Sequence, residues 1–178
     1  MQRDLAFILG ALEDASLIQR KVKGEYLVEF EQKNRKWLEI IAECFEKCFG
    51  LKPVIKQRKR GYFRVRVYSK SVFHTLIKER KRFLERWQTY SQNTWKEFLR
   101  GVFDSEGSVI ATRKVISIGS TDKELLKICR EMLQSLGIEC GKITKSHKNV
   151  KKFCIYGKNN LKKFQKVVGF SHPEKAKN

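Results

Sequence analysis

Apolar positions recur along the chain with two different periods, and their alternation lays out the expected elements. In NRKWLEIIAECFEKCFGL (34–51) and TDKELLKICREMLQSLGI (121–138) they fall at the i, i+3, i+4 spacing of an amphipathic helix. A shift of 87 positions lays Gly137 on Gly50, Leu125 on Leu38, Ile128 on Ile41 and Ile138 on Leu51. Each segment opens on a start signal, Asn34 in one and a Thr121/Glu124 capping box in the other, and each ends at a glycine. In VIKQRKRGYFRVRV (54–67) the period drops to two. Phe63, Val65 and Val67 alternate with Arg64 and Arg66, and Lys56, Arg58 and Arg60 alternate on the preceding arm, with Gly61 placed for the turn.

The repetition extends further. FRVRVYSKSVF (63–73) parallels KFCIYGKNNL (152–161), with Tyr68 over Tyr156 and Lys70 over Lys158, and EDASLI (13–18) parallels SEGSVI (105–110). Each half then reads helix, strand, strand, helix, strand, strand, helix. The expected division is residues 1–85, a linker at 86–93, and residues 94–178, with Thr94 and Glu97 as the capping box that opens the second copy. Halves of this size bury little core alone, so they are expected to pack as pseudo-twofold partners in an α+β fold.

Composition narrows the function. The 178 residues carry 39 Lys+Arg against 19 Asp+Glu, a formal charge of +20, and 41% apolar content with 12 Phe and 3 Trp excludes disorder. No apolar run approaches a bilayer span and no signal-peptide core opens the chain. The expected setting is therefore intracellular and unsecreted, cytoplasmic in a prokaryote and organellar otherwise, with no membrane partner. Cys44, Cys48, Cys129, Cys140 and Cys154 are read as reduced, mostly buried thiols. The cationic surplus calls for a polyanion, and nucleic acid fits dispersed Lys and Arg best. The cations on the outer strand faces and turns are the candidate DNA contacts: Arg20, Lys21, Lys23, Lys56, Arg58, Arg60, Arg64 and Arg66 in the first half, and Arg113, Lys142, Lys145 and Lys152 in the second. Arginines and lysines this regular would repel one another without an anionic partner. His74, His147 and His172 form no cluster and are read as surface or phosphate contacts.

The segment FLRGVFDSEGSV (98–109) carries the sharpest signal. Phe98, Leu99, Val102 and Phe103 form an apolar stripe, and Gly101 and Ser105 put two small residues on one face, where a second helix backbone can approach closely. Glu106 then ends the helix before Gly107. A carboxylate there opposes the helix dipole, so a bound cation would supply the missing charge.

This segment resembles the LAGLIDADG motif of homing endonucleases, and the duplicated layout resembles the single-chain, two-motif, intron-encoded members. The resemblance implies two αββαββα repeats with the motif helices packed at the centre, and two antiparallel four-stranded sheets forming a saddle over a long asymmetric DNA site. It implies double-strand cleavage across the minor groove with 3′ overhangs, by a monomer using Mg2+, with Mn2+ able to substitute and Ca2+ binding without supporting cleavage. Glu106 takes the acidic position of the second motif. In FILGALEDASL (7–17), matching the motif's end puts Asp14 on Glu106 and Ala15 on Gly107, with Glu13 as the alternative acid. Asp14 and Glu106 are thus the expected metal ligands and catalytic acids. The family's basic or amide residue at the end of the second strand falls on Gln32 and Lys33, while the second half offers Ser120 and Thr121. The competing reading is an RNA maturase, with intron RNA as partner, or a DNA-binding regulator that lost cleavage.

Overall fold

The computed structural model describes residues 1–177. Helix α1 (Arg3–Ala11) runs through a 3₁₀ turn (Leu12–Asp14) into the hairpin β1 (Ala15–Arg20) and β2 (Glu25–Gln32). Helix α2 (Arg35–Phe49), strands β3 (Ile55–Gln57) and β4 (Phe63–Tyr68), and helix α3 (Lys70–Arg86) follow. The order then repeats as α4 (Gln92–Glu106), β5 (Gly107–Ile110), β6 (Val115–Ser120), α5 (Lys123–Ser135), β7 (Thr144–Lys145), β8 (Lys151–Tyr156) and α6 (Lys158–Val167). A short helix, α7 (Pro173–Ala176), comes last. The strands form two four-stranded antiparallel sheets, β1-β2-β4-β3 and β5-β6-β8-β7.

The period-two pattern sorts the strand faces as expected. Val65 and Val67 are buried beneath the helices while Arg66 and Tyr68 face out. Both amphipathic helices end on a glycine in the left-handed conformation, Gly50 at φ 66° and Gly137 at φ 72°. Asn34 caps α2 by accepting the Trp37 N–H at 3.1 Å. Two other helix starts differ from the sequence expectation. Helix α5 is capped by Asp122, whose Oδ1 accepts from Glu124 N and Leu125 N at 2.9 and 3.0 Å, and not by Thr121. Helix α4 begins at Ser91, whose hydroxyl accepts the Thr94 N–H, so Thr94 lies one turn inside the helix and is buried. In each case the helix start is set by the side chain that reaches the free N–H groups, the Ser91 hydroxyl or the Asp122 carboxylate.

Helices α1 and α4 pack at the centre with their backbones in near contact. A methyl group at Gly10 would collide with the Phe98 carbonyl oxygen, and one at Gly101 would collide with the carbonyl oxygen of Phe7. The reciprocal contact is a pseudo-twofold relation written in two glycines. Ser105 adds a hydrogen bond across the pair, its hydroxyl donating to the Ala11 carbonyl at 3.2 Å. Around this seam one continuous apolar core serves both halves. Phe83 of α3 packs on Phe98 of α4 at 4.5 Å between ring centroids, and Phe103 packs on Phe164 of α6 at 4.8 Å.

Candidate functional site

The stretch from the seam glycine to the following strand is one residue shorter in the first copy, and local geometry absorbs the difference. Ala15, the first residue of β1, lies five positions after Gly10, and Gly107, the first of β5, lies six positions after Gly101. In the first copy Leu12–Asp14 form a 3₁₀ turn. At about 2.0 Å rise per residue against about 1.5 Å in an α-helix, three such residues cover the axial distance of four. Asp14 therefore stands immediately before β1 as Glu106 stands immediately before β5.

The acidic groups converge at these adjoining helix ends. Burial raises the Glu106 carboxyl above its usual pKa of 4.5, and the negative charges of Glu13 and Asp14 raise it further, against the opposing charge of Lys175. Burial also raises Asp14, moderated by a hydrogen bond from Gln32 and by Lys175. Gln32 Nε2 donates to Asp14 Oδ2 at 2.5 Å, placing the end of β2 against the first acid. Glu13 is ion-paired with Arg80 of α3, and burial raises its carboxyl too. Lys33 follows β2 directly. Its ammonium lies over the Tyr62 ring, 5.3 Å from the centroid, because the aromatic face at the β3–β4 turn attracts the cation at the exit of β2.

Two residues that sequence reasoning passed over complete this region. Asp104, only 1% exposed, accepts the backbone N–H of Ser171 at 3.1 Å and of His172 at 3.1 Å. Burial outweighs those hydrogen bonds and pushes its carboxyl up to about 6. Its place two residues before Glu106 in the motif was a signal. Lys175 of α7 donates to the carbonyl oxygens of Phe103, Asp104 and Ser105 at 3.1, 2.5 and 3.3 Å. No periodicity or motif in the 168–177 stretch announces that lysine. His172 is buried and packs on Trp37 at 6.0 Å between ring centroids, so it is neither a surface residue nor a phosphate contact. His74 packs against Tyr26 and Phe73, and His147 is exposed.

The outer sheet faces are less uniformly cationic than the alternation implied. Across β2 and β4, Glu29 lies opposite Arg66 and Glu31 opposite Arg64. Arg64 reaches Glu31 at 2.7 Å and Glu29 at 3.5 Å, and Arg66 is ion-paired with Glu29. Intramolecular carboxylates thus already relieve the repulsion that seemed to demand an external anion. Arg20 is likewise paired with Glu25 at 2.8 Å. Lys21 and Lys23 in the β1–β2 turn, Lys56, Arg58 and Arg60 around the β3–β4 turn, and Arg113, Lys142, Lys145 and Lys152 in the second half are outside the ion pairs found among the described residues.

The donor set suits a hard cation. Asp14 and Glu106 offer carboxylate oxygens, the ligand type that Mg2+, Mn2+ and Ca2+ take. Among the described residues no group of three or more His, Cys, Asp or Glu could hold a metal ion by itself. A cation here would complete its shell with water and phosphate oxygens, as Mg2+ commonly does. The five cysteines are free and stand outside this donor set, with Cys44 and Cys140 pushed up to about 12 by burial.

Residues 94–169 match the family model described as a LAGLIDADG-like domain. Over 191 aligned residues the chain is 29% identical to homing endonuclease I-ApeI of Aeropyrum pernix, covering 97% of this chain and 84% of that one. It is 27% identical to an uncharacterized protein of Methanocaldococcus jannaschii over 76% of this chain and 49% of the relative. Among solved structures, I-DmoI in complex with DNA and Mn superposes with a TM-score of 0.73 at 20% identity, covering 94% of this chain and 96% of that one. The N-terminal LAGLIDADG domain of DUF199/WhiA gives a TM-score of 0.64 at 16% identity, covering 95% of this chain and 83% of the other. The matched second copy, its structural repetition in the first, and the paired glycines at the α1–α4 seam make the chain similar to LAGLIDADG proteins, with the fold of the single-chain, two-motif form.

Proposed function

We propose that the protein is a site-specific DNA endonuclease of the homing type, acting as a monomer on a long asymmetric duplex. On this reading it hydrolyses one phosphodiester per strand across the minor groove and leaves 3′ overhangs. The observation that carries the proposal is the meeting of Asp14 and Glu106, one from each copy, at adjoining helix ends where each carboxyl is raised by burial. Carboxylates held where they cost stability are expected at functional centres. The name of the Aeropyrum pernix relative and the DNA complexes of I-DmoI, solved with Mn and with Ca, support the same reading.

In this scheme Gln32 holds one oxygen of Asp14, fixing the carboxylate so that its other oxygen faces a ligand. Glu106 supplies the second carboxylate, and its proximity to Asp14 makes the pair demand positive charge. A bound Mg2+ would supply Lewis acidity and an activated water to this centre. Lys33, drawn from Tyr62 by an approaching phosphate, would offset charge on the reacting phosphoryl group. The unpaired cations at the hairpin turns would hold the duplex through its backbone.

The shortened first motif, with Glu13 bound to Arg80, favours one alternative: a DNA-binding regulator on the same fold that no longer cuts. Incubation with Mg2+ and a plasmid library of intron-insertion sequences separates the two. The nuclease reading expects linearised plasmid, with cleavage falling about a hundredfold or more in Asp14→Asn and Glu106→Gln. Retention of a specific sequence without nicking would instead favour the regulator.

A further inference from the structure

The end of the second motif helix is closed by a segment anchored to both halves. After α6, Arg100 donates to the Val168 carbonyl at 2.7 Å, and the Asp104 carboxylate takes the N–H groups of Ser171 and His172. The His172 ring then packs on Trp37 of α2, and Asn34 reaches Glu174 at 3.4 Å. The strap so formed starts on the second copy and finishes on the first. It delivers Lys175, whose ammonium has three N–H donors and meets three carbonyl oxygens, those of Phe103, Asp104 and Ser105.

Removing an ammonium from water and freezing a four-carbon side chain both cost free energy, so what it faces matters. It faces the negative end of α4 and the acids gathered there, and its charge acts on Asp14, Asp104 and Glu106 alike. Lys33, at the exit of β2, has its ammonium over the Tyr62 ring. Ser120 and Thr121, at the matching place in the second copy, carry no charge.

We propose that Lys175 is a built-in counter-cation of the acidic centre, a positioning residue that holds the helix-end carbonyls and offsets the paired carboxylates, and that an entering divalent ion must compete with it. This rests on the nuclease reading in one respect, the assignment of Asp14 and Glu106 as ion-binding groups. An ordinary helix cap would affect stability alone. A competing cation also lowers the affinity of the centre for a divalent ion.

The test is calorimetric titration of the full-length protein with Ca2+ alone, without DNA, in the wild type and in Lys175→Gln and Lys175→Arg. Competition requires Lys175→Gln to bind Ca2+ more tightly, on the order of tenfold, and the charge-preserving Lys175→Arg to stay within about twofold of wild type. Equal or weaker Ca2+ binding by folded Lys175→Gln overturns the proposal. Should that variant not fold, the lysine ammonium signals of the wild type in 1H–15N NMR decide. A protected Lys175 signal lost at saturating Ca2+ supports competition, and one that persists unchanged overturns it. The Asp14→Asn/Glu106→Gln pair provides the control. If no variant, wild type included, binds Ca2+, the ion-binding assignment itself falls and this inference with it; equal affinities bring down this inference alone.

Discussion

Asp104 and Glu106 sit two residues apart and experience different surroundings, and each sets a separate test. Asp104 ionises at about 6 in the folded protein against an ordinary value of 3.8, because burial outweighs the N–H groups of His172 and Ser171. Between those values the folded chain keeps a proton that the unfolded chain has released. Its contribution is therefore complete below 3.8 and lost as pH rises through about 6. Across that window it amounts to about 3 kcal/mol at most. Urea unfolding between pH 4 and 7 should show wild-type stability falling relative to Asp104→Asn as pH rises. Parallel curves for the two proteins would refute the assignment. Glu106 is raised by burial and by its acidic neighbours Glu13 and Asp14, so its charge is a cost at neutral pH. Glu106→Gln should raise the melting temperature at pH 8 while abolishing cleavage, the trade expected of a group kept for function. A lower melting temperature would mean that the carboxylate is structurally supported.

At the scale of elements, the decisive contact is the crossing of α1 and α4. Gly10 and Gly101 each face the other helix's backbone, leaving no space for a methyl group. Gly101→Ala should cost about 2–4 kcal/mol, since relief would require separating two helices through the middle of the core. Denaturant titration of Gly101→Ala beside Gly119→Ala provides the comparison, because a methyl at Gly119 meets only ordinary van der Waals neighbours, 3.4 Å and beyond. Similar losses at both positions would show that the crossing is not the constraint. The elements themselves were legible from the chain, since helix and strand periods differ and each burial stripe followed its own. The caps were less legible. Ser91 and Asp122 outcompeted Thr94 and Thr121 because the approach angle of the preceding chain decides which side chain reaches the first free N–H groups.

On the whole-molecule scale, the +20 charge is spread unevenly over two kinds of position. Arg64 and Arg66 are held by Glu29 and Glu31, whereas Lys21, Lys23, Arg58 and Arg60 at the hairpin turns are outside the described ion pairs. Counterion release follows free charge, so each turn residue that touches a phosphate should lower the slope of log K against log salt by about 0.9 when changed to alanine. Arg64→Ala and Arg66→Ala should lower it less, because each leaves behind a glutamate that the arginine had neutralised. Binding isotherms on the cleaved sequence from 50 to 200 mM salt, a range over which phosphate contacts separate well, measure this directly. A larger slope change at Arg64 than at Lys21 would reverse the ordering.

The duplication, the close approach of the central helices and the acid before β5 could be read along the chain, because periodicity and small-residue spacing are local properties, while the pair of four-stranded sheets followed from the family resemblance. The acid before β1 could be read only by matching the strand that follows it, and the 3₁₀ turn explains why counting from the glycine failed. What required the folded molecule was everything joining residues distant in sequence. Glu29 and Glu31 meet Arg66 and Arg64 through strand register, Glu13 meets Arg80, and Lys175 closes over residues 103–105. Hydrophobic spacing specifies which face of an element turns inward. Which charge finds which partner depends on how the chain returns, and that is settled only when the two copies and the strap after α6 pack around one core.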